Sequence, residues 1–166
     1  MAILKIARLG HPVLLGRAEP VSDPTTPDLR RLLKDMAETM LDAQGVGLAA
    51  PQVHEPIRLI LWRGAEGVQA LFNPLVSPLD AEVEEGWEGC LSIPGLRGVV
   101  PRARRVAWSG LGPDGAPVSG TAEGLAARIL QHEADHLDGI LYLMRMRDLS
   151  RLGFVEELSR HGGGQA

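Results

Sequence analysis

The chain has 166 residues, 45% of them hydrophobic and 23% charged, with 21 acids against 17 bases and a net charge of −4. That length suits one domain able to bury its own core, and the acidic balance leaves no basic face for free nucleic acid or anionic lipid. No apolar run approaches the roughly 20 residues of a membrane span, and the opening MAILKIARLG lacks the pattern of a secretory signal. The lone Cys90 excludes an internal disulfide, so a reducing, cytoplasmic setting is expected. With 20 Gly and 12 Pro, short strands and turns are expected rather than a long-helix bundle.

The first predicted element is a helix from Thr26 to Ala43. Leu29, Leu32, Leu33, Met36, Ala37, Met40 and Leu41 form one helical stripe. Thr26 is placed to cap it, Pro27 takes its first position, and Gly45 is read as its stop. Ile57–Trp62 and Val68–Phe72 then read as short strands around a Gly-containing turn. Glu82–Trp87, Arg104–Ser109 and Ala116–Gly120 are weaker strand candidates, the last two flanking Pro113-Asp114-Gly115. A second helix is expected over about Glu123–Leu137, ending at Gly139. Its inward face carries Leu125, Ile129, His132 and His136. A short C-terminal helix is expected near Leu149–Leu158, and residues 161–166 read as a flexible tail. Strands without strict βαβ alternation give an α+β class. The expected architecture is one domain over 1–160, with short, mostly antiparallel strands around the histidine-bearing helix.

Within that second helix, Gln131-His132-Glu133-Ala134-Asp135-His136 contains HExxH. Residues four apart stack on one helical face, so both imidazoles reach one metal ion, and Glu133 lies close enough to contact a water there. His11, His54 and His161 read instead as ordinary core or surface histidines. Catalytic zinc usually takes three protein ligands and leaves the fourth position open. The downstream acids Asp138, Asp148, Glu156 and Glu157 and the terminal His161 are poor third ligands. The better candidate is upstream, in Glu88-Gly89-Cys90-Leu91-Ser92. A lone cysteine is by default a small buried hydrophobe. A thiolate beside two imidazoles nevertheless suits Zn(II) or Fe(II), and spacing alone does not prove the pairing. The segment Gly45-Val46-Gly47-Leu48-Ala49-Ala50-Pro51-Gln52 lacks the Lys-Ser/Thr ending of a phosphate loop. Taken alone it reads as a helix stop and tight packing.

Together, GVGLAAPQ, EGCLSIP and QHEADHLDG, in this order, closely resemble the three signature motifs of the peptide deformylases. ILKIARLGHPVL, Pro101-Arg102 and the PDG turn extend the likeness over roughly residues 3–148. The resemblance implies a metal-dependent hydrolase that removes the formyl group from the N-terminal formylmethionine of new polypeptides and releases formate. It implies Cys90, His132 and His136 as metal ligands with a water as the fourth. It assigns Glu133 as catalytic acid and base, and the Gln52 amide with the Leu91 N–H as oxyanion donors. It implies one divalent ion, with Fe(II) native and Zn(II), Ni(II) or Co(II) able to replace it. In the substrate pocket, Gly47, Leu91, Leu125 and Ile129 supply an apolar wall, and the backbones of Val46 and Gly47 pair with the peptide. Arg97 falls near the cleft mouth, with a solvated surface arginine as its plainer reading. By analogy Glu88 and Arg102 form an ion pair behind the cysteine.

The implied partners are formylmethionyl nascent chains. Family members act at the ribosome, but the short tail and the charge of −4 favour transient contact at most, with no sequence-specific nucleic-acid binding and no membrane. Val53-His54-Glu55-Pro56 departs from a Gly-containing turn common in the family, leaving that loop's shape open. Two other readings fit part of the sequence. One is a related metallohydrolase acting on another N-acyl or short-peptide substrate, and the other is a structural metal site. Three clear ligands plus an adjacent Glu fit an open catalytic site better than a four-ligand structural one.

Overall fold

A computed structural model describes residues 2–161, so most of the expected tail, 162–166, lies outside the described residues. The first helix, α1 (Pro27–Asp42), begins as its sequence predicts, with the Leu29 N–H donating to Thr26 Oγ1 and Pro27 in the first turn. Its end differs from expectation. Gln44, not Gly45, takes the left-handed conformation (φ 56°). The Gly45 and Gln44 N–H groups then close on the carbonyls of Met40 and Leu41, a Schellman arrangement.

Eight strands follow: β1 (Gly47–Ala49), β2 (Leu59–Gly64), β3 (Gly67–Pro78), β4 (Val83–Cys90), β5 (Ile93–Ala103), β6 (Arg105–Leu111), β7 (Pro117–Glu123) and β8 (Leu152–Phe154). The second helix, α2 (Leu125–Leu137), lies between β7 and β8, and α3 (Val155–Arg160) ends the described chain. The strands pair antiparallel into a five-stranded sheet, β1-β2-β3-β6-β7, and a three-stranded sheet, β4-β5-β8. The class is α+β, as expected. Among the described residues no helix is long and apolar enough to cross a membrane.

Strand β2 explains how the two helices are held. Its side chains alternate across the sheet, so Ile60 and Trp62 join Ala127, Leu130 and Leu137 of α2, whereas Leu59 and Leu61 join Met36 and Met40 of α1. A third cluster, with Leu14, Ile93, Val100, Leu141 and Tyr142, ties the small sheet to the N-terminal segment. That segment also bonds to two motif turns: Ala7 N–H donates to the Gln52 carbonyl at 2.7 Å, and Leu9 N–H to the Ser92 carbonyl at 2.8 Å.

The strands are not uniformly short, since β3 has 12 residues and β5 has 11. β5 carries Pro94, Gly95, Gly98 and Pro101, residues that read as turns. It tolerates Pro101 because β8 covers only Leu96–Gly98, leaving no strand on that side of Pro101 to need its missing N–H. β1 forms in a segment whose sequence reads as a helix stop and tight packing. The expected short C-terminal helix is present as the six-residue α3, but it starts later than Leu149, after a 3-10 turn (Leu149–Arg151) and β8. Within the loop left open by sequence, His54 itself adopts the left-handed conformation (φ 68°), with its ring edge-on to His11 at 4.7 Å.

Candidate active site

The β4–β5 hairpin aims the cysteine. Gly89 pairs with Arg97, but the next residue, Cys90, pairs with Ile93, so the register slips at Gly89/Cys90 and β5 bulges through Pro94, Gly95 and Leu96. A bulge re-aims side chains and is common beside active sites. Here it turns Cys90 toward α2, where Sγ lies 3.3 Å from His136 Nε2. One ligand atom from each of Cys90, His132 and His136 lies within 4.8 Å of the others.

These distances fit a single ion. Zn–S and Zn–N bonds near 2.3 and 2.0–2.1 Å at a tetrahedral angle put sulfur and nitrogen about 3.5 Å apart. The donor set, one thiolate and two imidazoles, suits a first-row divalent metal. The charges behind it are arranged to match. Glu88 Oε2 is 2.9 Å from His132 Nδ1, which fixes Nδ1 as the donor and leaves Nε2 free to bind. Arg102 grips the same carboxylate at 2.8 and 3.0 Å and reaches Asp135 at 2.5 Å; Arg145 in turn bonds Asp135 at 2.7 and 3.1 Å. The pair inferred by analogy, Glu88 with Arg102, is therefore present, and it supports the histidine rather than the cysteine. Burial pushes the Glu88 carboxyl up, but the His132 and Arg102 hydrogen bonds outweigh it and bring the group down to about 2.

Glu133 contrasts with Glu88. It is 4% exposed, its Oε2 has no hydrogen-bond partner among the described residues, and burial raises its pKa to about 7. A carboxyl held there can take up and release a proton near neutral pH. Burial, together with the neighbouring His132, lowers His136 well below its ordinary value, which favours the neutral imidazole that a metal needs. Gln52 is locked: Oε1 accepts from Ala49 N–H at 2.9 Å, and Nε2 reaches Ser92 Oγ at 3.1 Å and Cys90 Sγ at 3.5 Å. The Leu91 N–H makes no hydrogen bond among the described residues.

A cleft of about 520 Å³ opens over this centre. It brings together Val46, Gly47, Gln52, Cys90, Leu91, Arg97, Leu125, Ile129, His132 and Glu133. His136 stands behind, 1% exposed. Leu125 differs from its inward reading: as the first residue of α2 it is 69% exposed and forms the rim. The Val46 carbonyl is taken by Arg63 N–H at 2.9 Å, leaving its N–H as the group it can offer a ligand. Sequence reasoning missed Trp87, Leu96, Arg128 and Val155, which also line the cleft. Only Arg128 had a signal, one helical turn before His132. A larger cavity of about 770 Å³ lies elsewhere, lined by Arg102, Gln131, Asp135 and Arg145. It holds no metal-ligand residue, and its Arg102, Asp135 and Arg145 are paired with one another, so the chemistry belongs to the smaller cleft.

Comparison with known proteins agrees with this geometry. The family described as polypeptide deformylase matches residues 3–152. Peptide deformylase 2 of Bordetella bronchiseptica is 48% identical, the alignment covering 92% of this chain and 93% of that protein. The crystal structure of peptide deformylase from Thermotoga maritima superposes with a TM-score of 0.86 at 37% identity, covering 89% of this chain and 100% of that one. A class I type b peptide deformylase from Acinetobacter baumannii, bound to Met-Ala-Ser, gives 0.82 at 36% identity, covering 87% and 99%. The chain belongs to the polypeptide deformylase family, metal-dependent enzymes that remove the formyl group from an N-terminal methionine.

Proposed function

We propose that this cleft deformylates formylmethionyl peptides, with Cys90, His132 and His136 holding one divalent ion and Glu133 moving the protons. The observation that carries this assignment is that two strand edges with no further strand beside them among the described residues flank one acid. β1 ends the large sheet and β4 ends the small one, both border the cleft, and Glu133 and the ligand cluster lie between them. An extended peptide adds to such edges through its backbone. Its N-terminal residue is thereby led to the buried carboxyl, and its first side chain toward Trp87, Leu91, Leu125 and Ile129.

When bound, the ion supplies Lewis acidity and lowers the pKa of its water; Fe(II) is our choice for the native metal, with Zn(II), Ni(II) and Co(II) compatible with the same donors. Glu133 accepts the proton of the attacking water and passes a proton to the leaving amine. Gln52 Nε2 and the Leu91 N–H hold the negative charge that develops on the formyl oxygen; losing one such donor typically costs about 2.7–4 kcal/mol in the barrier. Arg97, beside Gly89 in the β4–β5 register, meets the peptide farther out. Residues 1–160 act as one catalytic unit in this reading. A thiolate ligand requires a reducing compartment, so we place the protein in the cytoplasm, in transient contact with the ribosome that supplies its substrate.

The test is formate release from formyl-Met-Ala by metal-loaded protein, beside acetyl-Met-Ala and Glu133→Gln. The formylated peptide alone is hydrolysed, and Glu133→Gln keeps its metal while losing about 10²–10⁴-fold in rate. Full activity of Glu133→Gln, or hydrolysis confined to the acetylated peptide, overturns the reading.

A further inference from the structure

Residues 2–18 contribute only one short 3-10 turn (Pro12–Leu14), yet they bond in turn to all three motif segments. Ala7 N–H donates to the Gln52 carbonyl at 2.7 Å, Leu9 N–H to the Ser92 carbonyl at 2.8 Å, and Ala18 N–H to the Leu137 carbonyl at 2.8 Å. Buried Ala7 and Leu14 anchor this strap to the core. Its course between the first two motifs is set by a tight turn. His11 N–H returns to the Arg8 carbonyl at 2.9 Å, Gly10 has φ 99°, and Leu9 is not left-handed. That combination is a type II turn with Leu9 in its second position. Beyond it, the His11 ring packs edge-on against His54, which ends the 3-10 turn (Ala50–Val53) carrying Gln52.

The carbonyls that the strap holds lie beside the two groups proposed to receive the formyl oxygen. Gln52 offers its side-chain Nε2. Ser92 directly follows Leu91, whose N–H is the second donor, and its buried Oγ accepts from Gln52 Nε2 at 3.1 Å. These donors come from different sheets: Gln52 follows β1 of the large sheet, and Leu91 follows β4 of the small one. Neither strand by itself sets the distance between them. Ala7 and Leu9 do, because two residues of extended chain span at most about 7 Å. Among the described residues, none of the strap lines the cleft, so its effect on the reaction passes through Gln52 and Ser92. Donors aimed at a developing charge work because they need not move to meet it.

We propose that Ala7 and Leu9 are positioning residues whose N–H groups hold the Gln52 and Leu91 donors at the spacing the formyl oxygen requires. This deepens the deformylase reading and rests on it. Formate release from formyl-Met-Ala by the metal-loaded wild type tests that reading by itself. Leu9 permits a selective test of the strap. Proline suits the second position of a type II turn, so Leu9→Pro keeps the turn and deletes the one N–H that reaches Ser92. Leu9→Ala keeps that N–H and trims a side chain that is 52% exposed. Leu9→Pro lowers kcat by about tenfold with KM within about twofold of wild type, whereas Leu9→Ala keeps the wild-type kcat. Calorimetric binding of Met-Ala, which lacks the formyl oxygen, is equal in all three proteins. A folded Leu9→Pro with wild-type kcat overturns the proposal. So does a rise in KM and a weakening of Met-Ala binding that match the loss in kcat, since the strap would then only support the cleft as a whole. Where Leu9→Pro fails to fold, Gly10→Ala decides. A β-carbon there meets nothing within 4 Å, so the change strains only the turn. It lowers kcat by about threefold or more at unchanged KM, and an unchanged kcat overturns the proposal.

Discussion

A β-carbon on Gly47 would lie 2.3 Å from Glu133 Oε1 and 2.8 Å from its carboxyl carbon. The second glycine of the GVG segment therefore makes the space in which the proposed proton carrier sits. Gly47→Ala forces the carboxyl aside. A displacement of about 1 Å at a reacting group costs on the order of 10²-fold in rate. The expected result is that loss in kcat/KM with metal content unchanged. Glu133→Gln in the Gly47→Ala background should add much less than it does alone, because both changes remove one function. Full additivity in that double mutant would separate Gly47 from Glu133.

Glu88 orients His132 through a 2.9 Å contact to Nδ1. Glu88→Gln keeps the shape but removes the charge, and its amide can also present a donor to the ring. Loss of such a partner typically lowers metal affinity by about 10–100-fold. Competition against a chelator measures this directly. The variant should release its metal at a lower chelator concentration than wild type and recover activity in excess metal. Equal retention would show that Arg102, Arg128 and Glu88 form a structural tie with no bearing on the ligand.

The parts of this site legible in sequence are those encoded by local periodicity. Thr26-Pro27 and the leucine stripe specify α1, and HExxH on a helix puts His132 and His136 on one face. What is hidden depends on tertiary pairing. Strand β5 reads as turns because its prolines and glycines are judged without knowing where β8 stops. The three-residue slip that points Cys90 at His136 belongs to the hairpin register and leaves no trace in spacing. Arg128 on a helix reads as a solvated charge until Gly86 is seen opposite it. Val155 reaches the cleft only because β8 pairs with β5 and carries the start of α3 there.

Arg102 is 6% exposed and bridges two acids, Glu88 and Asp135. Arg102→Met leaves both carboxylates buried with one fewer cation. Breaking a buried pair from one side typically costs about 3–5 kcal/mol. Chemical denaturation of the metal-free protein should show that loss. Arg145 keeps its bonds to Asp135 and Arg128 its bond to Glu88, so the cost should fall toward the lower end. A change under about 1 kcal/mol would mean that those two arginines suffice.

Gln44 and Gly45 give a pair of substitutions with opposite expected signs. Gln44 has φ 56°, the conformation that glycine adopts without a side-chain penalty. Gly45 instead needs space: a β-carbon there would meet Leu91 Cδ1 at 2.8 Å and the Met40 carbonyl at 3.3 Å. Gln44→Gly relieves the left-handed strain, worth about 1 kcal/mol or slightly more, but frees the unfolded chain and forfeits part of that gain. The net expectation is a small rise in thermal midpoint, about 1–3 °C for a domain of this size. Gly45→Ala pushes on Leu91, whose N–H is a proposed oxyanion donor, and should lower both the midpoint and kcat. Differential scanning calorimetry beside the formate assay checks both. If Gly45→Ala is stable and fully active, Leu91 yields without moving its backbone, and the close contact at Gly45 is not what holds the donor in place.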